Sequence, residues 1–484
     1  MVRVERLLDL LRTGKPGDPA LIEAETGRVW TYGTLEEEVR GLAGRLSGLG
    51  VGRGSRVSLV VPDGPDFVRL LLAITTLGAT AAPLNPAYKH DELAFHLDDL
   101  QPDLLLLPAG DCREAREAAS DAVRVVDVAS SQLVAGRETP FEEATPDDVV
   151  LLLHTSGTTS RPKQVPLLQR NLAASATTIA DHYRLCPADV SYCAMPLFHV
   201  HGLVASTLGA LAGGGSVVVP QRLAPRAFWE QARREGVTWY SAGPTLHTML
   251  IERMDGEGPP RTLRFARSCS SALSPALMAR LEEALGVPVL EAYGMTEASH
   301  QMTSNPLPPG KRVPGSVGVA TGTEIRIRDG EVLIQGSGVT PGYLNNPEAN
   351  AESYVDGWFR TGDSGSLDED GYLWLTGRIK ELILRGGENI SPYEIEAVLL
   401  AHPAVADAVC FGIADEKYGE RVGAAVQLAS EATERELVAH CRERLAAFKI
   451  PETVYLVERI PRTPTGKVQR RRMAALLADA DRRP

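Results

Sequence analysis

The chain has 484 residues, 44% of them hydrophobic, and a formal net charge of −12. That length holds about three domains, or one large body with a small one; the apolar content excludes a disordered tail protein. The negative charge argues against nucleic-acid partners, and no apolar run approaches the roughly 18–20 residues of a bilayer span, so no membrane partner is expected. The opening MVRVERLLDLLRTGKPGD carries Arg and Glu within its apolar part and does not read as a secretory signal. The final DRRP is not a peroxisomal address. Cys112, Cys186, Cys193, Cys269, Cys410 and Cys441 form no C-x-x-C pair and read as reduced thiols, so a cytoplasmic location is expected.

In chain order, Thr34-Leu-Glu-Glu37 reads as a capping box opening a helix. Leu35, Val39, Leu42, Leu46 and Leu49 form its apolar face, and Gly50 and Gly52 end it. RVSLVVP is a strand, DFVRLLLAITTLGA a helix, ATAAPLNP a strand and turn, HDELAFHLDDL a helix and PDLLLLP a strand. Strands alternating with helices predict a largely parallel sheet covered on both faces. This texture continues to about residue 320. From Glu324 short alternating strands predict a small β-barrel-like part, with a hairpin turn at Asp329-Gly330. After Arg378 a smaller α+β unit runs helix, strand, strand, helix, strand. The expected fold class is therefore α/β: a body over 1–377 and a small α+β domain over 378–484.

Four strings carry chemistry. In VVLLLHTSGTTSRPKQVPL a buried strand ends in Thr155, Ser156, Gly157, Thr158, Thr159 and Ser160, followed by Lys163. Hydroxyls, backbone N–H groups and one ammonium suit an anionic ligand, although the string alone also suits a polar surface loop. It is not a Walker A motif. EAYGMTEASH places a ring (Tyr293), a hydroxyl (Thr296) and a carboxylate (Glu297) together; these suit a base, a phosphate and Mg²⁺, or else a buried Tyr with a capping Thr-Glu. In the third string Asp363 and Arg378 flank a hairpin, where a carboxylate facing one pocket could accept a ribose diol. DEDG (368–371) reads as the hairpin turn, and Gly386-Gly387 allows close backbone approach. The fourth, PRTPTGKVQRRRM, presents Lys467 on a turn, with Arg470–Arg472 read as a solvated basic tail.

In this order, these strings resemble the adenylate-forming superfamily of acyl-CoA synthetases, luciferases and peptide-synthetase adenylation domains. HTSGTTSRPK, RSCSSALSP, YGMTEASHQMTSNPLP and GRIKELILRGGENISP look closest to the oxalate–CoA ligases. The resemblance implies ATP, Mg²⁺ and coenzyme A as cofactors and a small carboxylic acid as substrate. It implies that Thr155, Ser156, Gly157, Thr158, Thr159 and Lys163 hold the β- and γ-phosphates. Ser271 and Ala272 would lie along the adenine and Tyr293 would stack on it, with Glu291, Gly294 and Met295 in the same nucleotide site. Thr296 would contact the α-phosphate, Glu297 would bind Mg²⁺, and Asp363 and Arg378 would hold the ribose. Lys380 matches a hinge, Gly386 and Gly387 a pantetheine tunnel, Lys467 the lysine bridging carboxylate and α-phosphate, and His199 in PLFHVHG the acyl-pocket entrance. One departure stands out: Gln164 replaces the glycine that usually follows the lysine.

The chemistry this layout implies has two halves. A carboxylate becomes an acyl donor by forming a mixed anhydride with AMP, and a thiol then attacks the acyl carbon. Charge on Glu297-bound Mg²⁺ and Lys467 would serve the first half, and rotation about Lys380 would serve the second. A second carboxylate on the acid would need cationic or hydroxyl partners; the candidates are Arg267, Ser268, His199, His201 and His300. Malonate–CoA ligases share the PLFHVHG-type string but carry an arginine where this chain has roughly Asn305, which favours oxalate. The rival reading is a biosynthetic adenylating enzyme acting on an aryl acid, on a carrier protein, or on nitrite for diazo formation. A monomer or homodimer is expected.

Overall fold

The computed structural model describes residues 3–477 except 109, 111, 156–161, 386–387, 416, 463–467, 471–472 and 474–475. The helix–strand alternation of the body resolves into two sheets, not one. The first has six strands in the order Arg124–Asp127, Leu104–Leu107, Arg56–Leu59, Thr80–Pro83, Val149–Thr155, Lys163–Leu168. It is parallel up to Val149–Thr155, which turns back antiparallel onto Lys163–Leu168. The second has nine strands, parallel from Pro19–Glu23 across to Val289–Met295 and closed by antiparallel strands at both edges. Alternation along the chain does not say which strands become neighbours. Pro19–Glu23 comes first in sequence yet pairs with Ser216–Val219.

Helix Pro65–Thr76 lies against helix Tyr32–Gly48 and buries Leu70 through Thr76 in the main core. Such nearly all-round burial explains its continuous apolar composition. The Tyr32–Gly48 helix starts earlier than expected. Thr31 accepts from Thr34 N at 3.2 Å and Thr34 Oγ1 accepts from Thr31 N at 2.9 Å, so Thr34 sits within the first turn and is not the cap.

From Glu324 a five-stranded antiparallel sheet stands where the barrel-like part was expected. Its first hairpin, Glu324–Arg328 with Glu331–Gln335, turns at Asp329 (φ 52°) and Gly330 (φ 78°). Two consecutive positive φ angles match strand twist, and that is why Asp-Gly marks the turn. Residues from Ile383 build a further sheet with its own core of Ile383, Ile395, Leu399, Cys410, Val422 and Leu437, among others. An antiparallel pair not expected from the sequence, Ile383–Arg385 with Glu388–Ile390, opens this smaller C-terminal unit; the helix, strand, strand, helix and strand that follow are in the predicted order. The expectation of a solvated Arg470 fails. Arg470 is 6% exposed and pairs with Glu396 and Glu381, because the segment after Val468 folds back onto this core.

Candidate active site

Parallel strands collect functional groups at their carboxyl ends, where successive connections diverge. Three such ends define the candidate site: Val149–Thr155, Phe265–Ser268 and Val289–Met295. The last is paired antiparallel with His300–Ser304, so Met295 opposes His300 and Tyr293 opposes Thr303. The turn between them carries Thr296 and the buried Glu297. Gly294 is required here, since a Cβ would lie 2.0 Å from His300 O.

Nucleotide-type residues converge in two groups. Tyr293 donates its hydroxyl to Asp363 Oδ2, and Arg378 Nε meets Asp363 Oδ1 at 2.7 Å. Cross-strand register brings the last two together, as Asp363 and Arg378 are direct ladder partners. Thr361 Oγ1 accepts from Asp363 N at 3.0 Å, and its carbonyl accepts from Arg378 Nη1 at 3.2 Å. In the second group Tyr343 donates to Glu297 Oε1 at 2.9 Å, and Lys163 Nζ stands 4.4 Å over the Tyr343 ring. Tyr343 and Thr361 carried no signal in the sequence; only the packing of the segment after Glu331 brings them to Glu297 and Asp363.

Glu297 is 6% exposed and its carboxylate accepts one hydrogen bond among the described residues, leaving the other carboxylate oxygen for a cation. No cluster of three His, Cys, Asp or Glu suited to a metal occurs among the described residues. This fits Mg²⁺, which is commonly held by one or two carboxylates with the substrate's phosphates completing its shell.

A third group is polar, buried and free of carboxylates. Arg267 is 0% exposed. Its Nε donates to Tyr183 Oη at 2.9 Å, Nη1 to Ser241 Oγ at 2.9 Å and Nη2 to Gln301 Oε1 at 3.0 Å. Its Nη2 also lies 3.4 Å from His300 Nδ1. His201 bridges Ser241 Oγ at 2.7 Å and Ser270 Oγ at 2.8 Å, and its ring lies 5.1 Å from that of His300. Burial, then the charge of Arg267, holds both His201 and His300 well below the ordinary 6.5, so both are neutral near pH 7. Burial alone lowers His199 to about 4. Ser268 is buried in the same strand, and its Oγ has no hydrogen-bond partner among the described residues.

The remaining predicted residues divide simply. Thr155 opposes Lys163 at the strand ends. Ser271 is half-buried and Ala272 exposed, just before Leu273, whose N–H donates to Glu291 Oε1 at 2.9 Å. Burial raises the Glu291 carboxyl to about 8. Lys380 is exposed, in the turn Ile379–Glu381. Asn305 is wholly engaged by backbone, donating to Glu291 O and Ser316 O and accepting from Val313 N. Ser156, Gly157, Thr158, Thr159, Gly386, Gly387 and Lys467 lie outside the described residues.

This architecture and its motif-bearing strand ends are those of an adenylate-forming enzyme. The chain belongs to the AMP-binding enzyme family: the family model matches residues 12–344, and that of the AMP-binding enzyme C-terminal domain matches 394–467. It is similar to the oxalate–CoA ligase of Arabidopsis thaliana, 45% identical over 92% of this chain and 93% of that protein. It is also similar to the sulfoacetate–CoA ligase of Cupriavidus necator, 37% identical over 94% of each chain. Among solved structures, ATP-bound MatB from Rhodopseudomonas palustris superposes with a TM-score of 0.91 at 29% identity, covering 99% of this chain and 100% of that one. The chain is an AMP-forming acid–CoA ligase that uses ATP, Mg²⁺ and coenzyme A. Among the described residues no helix is long and apolar enough to cross a membrane.

Proposed function

We propose that the acid is a short dianion of the oxalate type. One observation carries this: Arg267 is a fully buried guanidinium whose neighbours are hydroxyls, an amide, the Cys269 thiol and neutral imidazoles, with no carboxylate among the described residues. An isolated buried charge is costly, and the cost falls when a counter-ion arrives. Arg267 has no open surface, so its field reaches an acid through His201, Ser270 and His300, which supply neutral hydrogen-bonding groups. Ser268, in the same strand, and His199, at the entrance, complete the acid side. Asn305, engaged by backbone, offers no second cation for a longer diacid.

The remaining roles are those that the resemblance to the family implies. Tyr293 stacks on adenine, with Glu291, Gly294, Met295, Ser271 and Ala272 along its edge. Asp363 and Arg378 receive the ribose, and the Tyr293 hydroxyl yields Asp363 to it. Thr155, Ser156, Gly157, Thr158, Thr159 and Lys163 hold the outer phosphates, and Thr296 holds the inner one. Mg²⁺ on Glu297 offsets phosphate charge when bound. Lys467 brings its ammonium between acid and α-phosphate, where two anions must meet; no general base is required, since the nucleophile is already ionised. A small domain over 378–484 then rotates about Lys380, withdrawing Lys467 and bringing Gly386 and Gly387 to the thiol's path. The enzyme works in the cytoplasm as a monomer or homodimer.

The test is pyrophosphate release over a panel of oxalate, malonate, sulfoacetate, short monoacids, aryl acids and nitrite, with and without CoA. Oxalate is expected to lead, with CoA as acceptor. Equal turnover of a monoacid of the same length would overturn the dianion, and turnover led by aryl acids or nitrite without CoA would favour the biosynthetic reading.

A further inference from the structure

We propose that Asp99 and Gln164 are positioning residues for the triphosphate of ATP, forming a clamp that joins the base of the phosphate strand pair to the Tyr343–Glu297 side of the site. The inference rests on the reading that Lys163 and its loop hold the outer phosphates.

Asp99 lies in the last turn of helix His90–Leu100, where backbone carbonyls lack helical partners. Gln164 Nε2 donates to Asp99 O at 2.7 Å and to Asp99 Oδ2 at 2.6 Å. His154 Nε2 meets the same Oδ2 at 2.9 Å. His154 and Gln164 face each other across the ladder, one step behind the Thr155–Lys163 pair. One carboxylate therefore grips both strands one ladder step from the Thr155–Lys163 pair. Asp99 offers only acceptors at the two contacts, which fixes the orientation of the Gln164 amide.

The clamp also reaches across the site. Leu344 N donates to Gln164 O at 3.0 Å, and Leu344 adjoins Tyr343. Tyr343 lies under Lys163 Nζ and holds Glu297. Gln164 thus links a helix end, by its side chain, to the partner of the Mg²⁺ carboxylate, by its backbone. A glycine at this position would keep the backbone link and lose the side-chain link. With Gln164 present, strand pair, Lys163 and Glu297 are registered to one another before ATP binds, so less ordering remains for the ligand to impose. The side chain that departs from the family string is spent on Asp99, within the clamp.

Calorimetric titration of MgATP and of AMP into Gln164→Ala, Asp99→Ala and the double variant tests this. AMP lacks the outer phosphates and serves as the folding control. The Kd for MgATP is expected to rise about tenfold in each single variant, the effect of losing one charge-assisted hydrogen bond. The Kd for AMP is expected to stay unchanged, and the double variant to be no worse than the poorer single one, since both cut the same link. Unchanged MgATP affinity in Gln164→Ala overturns the clamp, as does equal loss of both ligands, which would make the contact merely structural. Lys163→Ala separates the two levels: MgATP binding lost there but intact in Gln164→Ala sinks the clamp alone. Intact binding in Lys163→Ala sinks the phosphate reading.

Discussion

Two buried arginines stand in opposite circumstances. Arg470, in the C-terminal unit, is 6% exposed and meets the carboxylates of Glu396 and Glu381, the carbonyl of Cys410 and the ring of Tyr393. Arg267, in the large body, is 0% exposed and meets no carboxylate among the described residues. Both are out of water, so both need compensation. The first receives it from the protein and is structural. The second is compensated by neutral polar groups, and on the proposed function its charge is held for the acid.

The contrast can be broken by mutation, beginning with the largest effect. Arg470→Ala leaves Glu396 and Glu381 buried without their cation, and stability is expected to fall by about 3–5 kcal/mol, read by denaturant unfolding of the C-terminal unit. If Arg470→Ala unfolds no earlier than the parent, the structural half of the comparison is wrong. Lys467, three residues before Arg470, is the cation expected to act by moving. Lys467→Ala is expected to slow adenylation about 10²–10³-fold while thioester formation from supplied acyl-adenylate persists. Equal loss in both half-reactions would contradict a two-position domain.

Arg267→Met sharpens the contrast from the other side. Its kcat/KM for the dianionic acid is expected to drop about 10²-fold, while the melting temperature holds or rises because a lone buried charge is gone. A clear fall in melting temperature with unaltered kcat/KM would make Arg267 structural after all.

The smallest effect concerns Glu291, another buried ionisable group without an ionic partner among the described residues. Burial lifts its carboxyl from the ordinary 4.5 to about 8, so the folded state holds a proton that the unfolded chain releases. That contribution to stability is complete below about pH 4.5 and is lost as pH rises through about 8. Glu291→Gln is expected to melt about 2–4 °C higher than the parent at pH 8.5 and to match it at pH 4.5. A constant difference across that range would show that Glu291 does not titrate there.

Much of this was legible in the chain itself. The order of the four strings pointed to the family, and Asp329-Gly330 marked its hairpin because two positive φ angles admit few residue types. Helix His90–Leu100 fell where its polar–apolar pattern put it. The capping position did not, since Thr31 and Thr34 satisfy each other and Glu37 is not needed. The solvated reading of Arg470 failed because a basic run looks alike whether it faces water or two carboxylates contributed by Glu381 and Glu396.

Residue types and their spacing determined which chemistry this protein carries, for a strand end, a turn and a hydroxyl-rich loop are local features written in consecutive residues. Tertiary structure alone decided which charges are answered. Asp99 meets Gln164 across 65 positions, Asp363 meets Arg378 through ladder register, and Arg267 is left without a carboxylate among the described residues. Coulomb energy depends on distance and solvent exposure, and neither is a property of sequence separation.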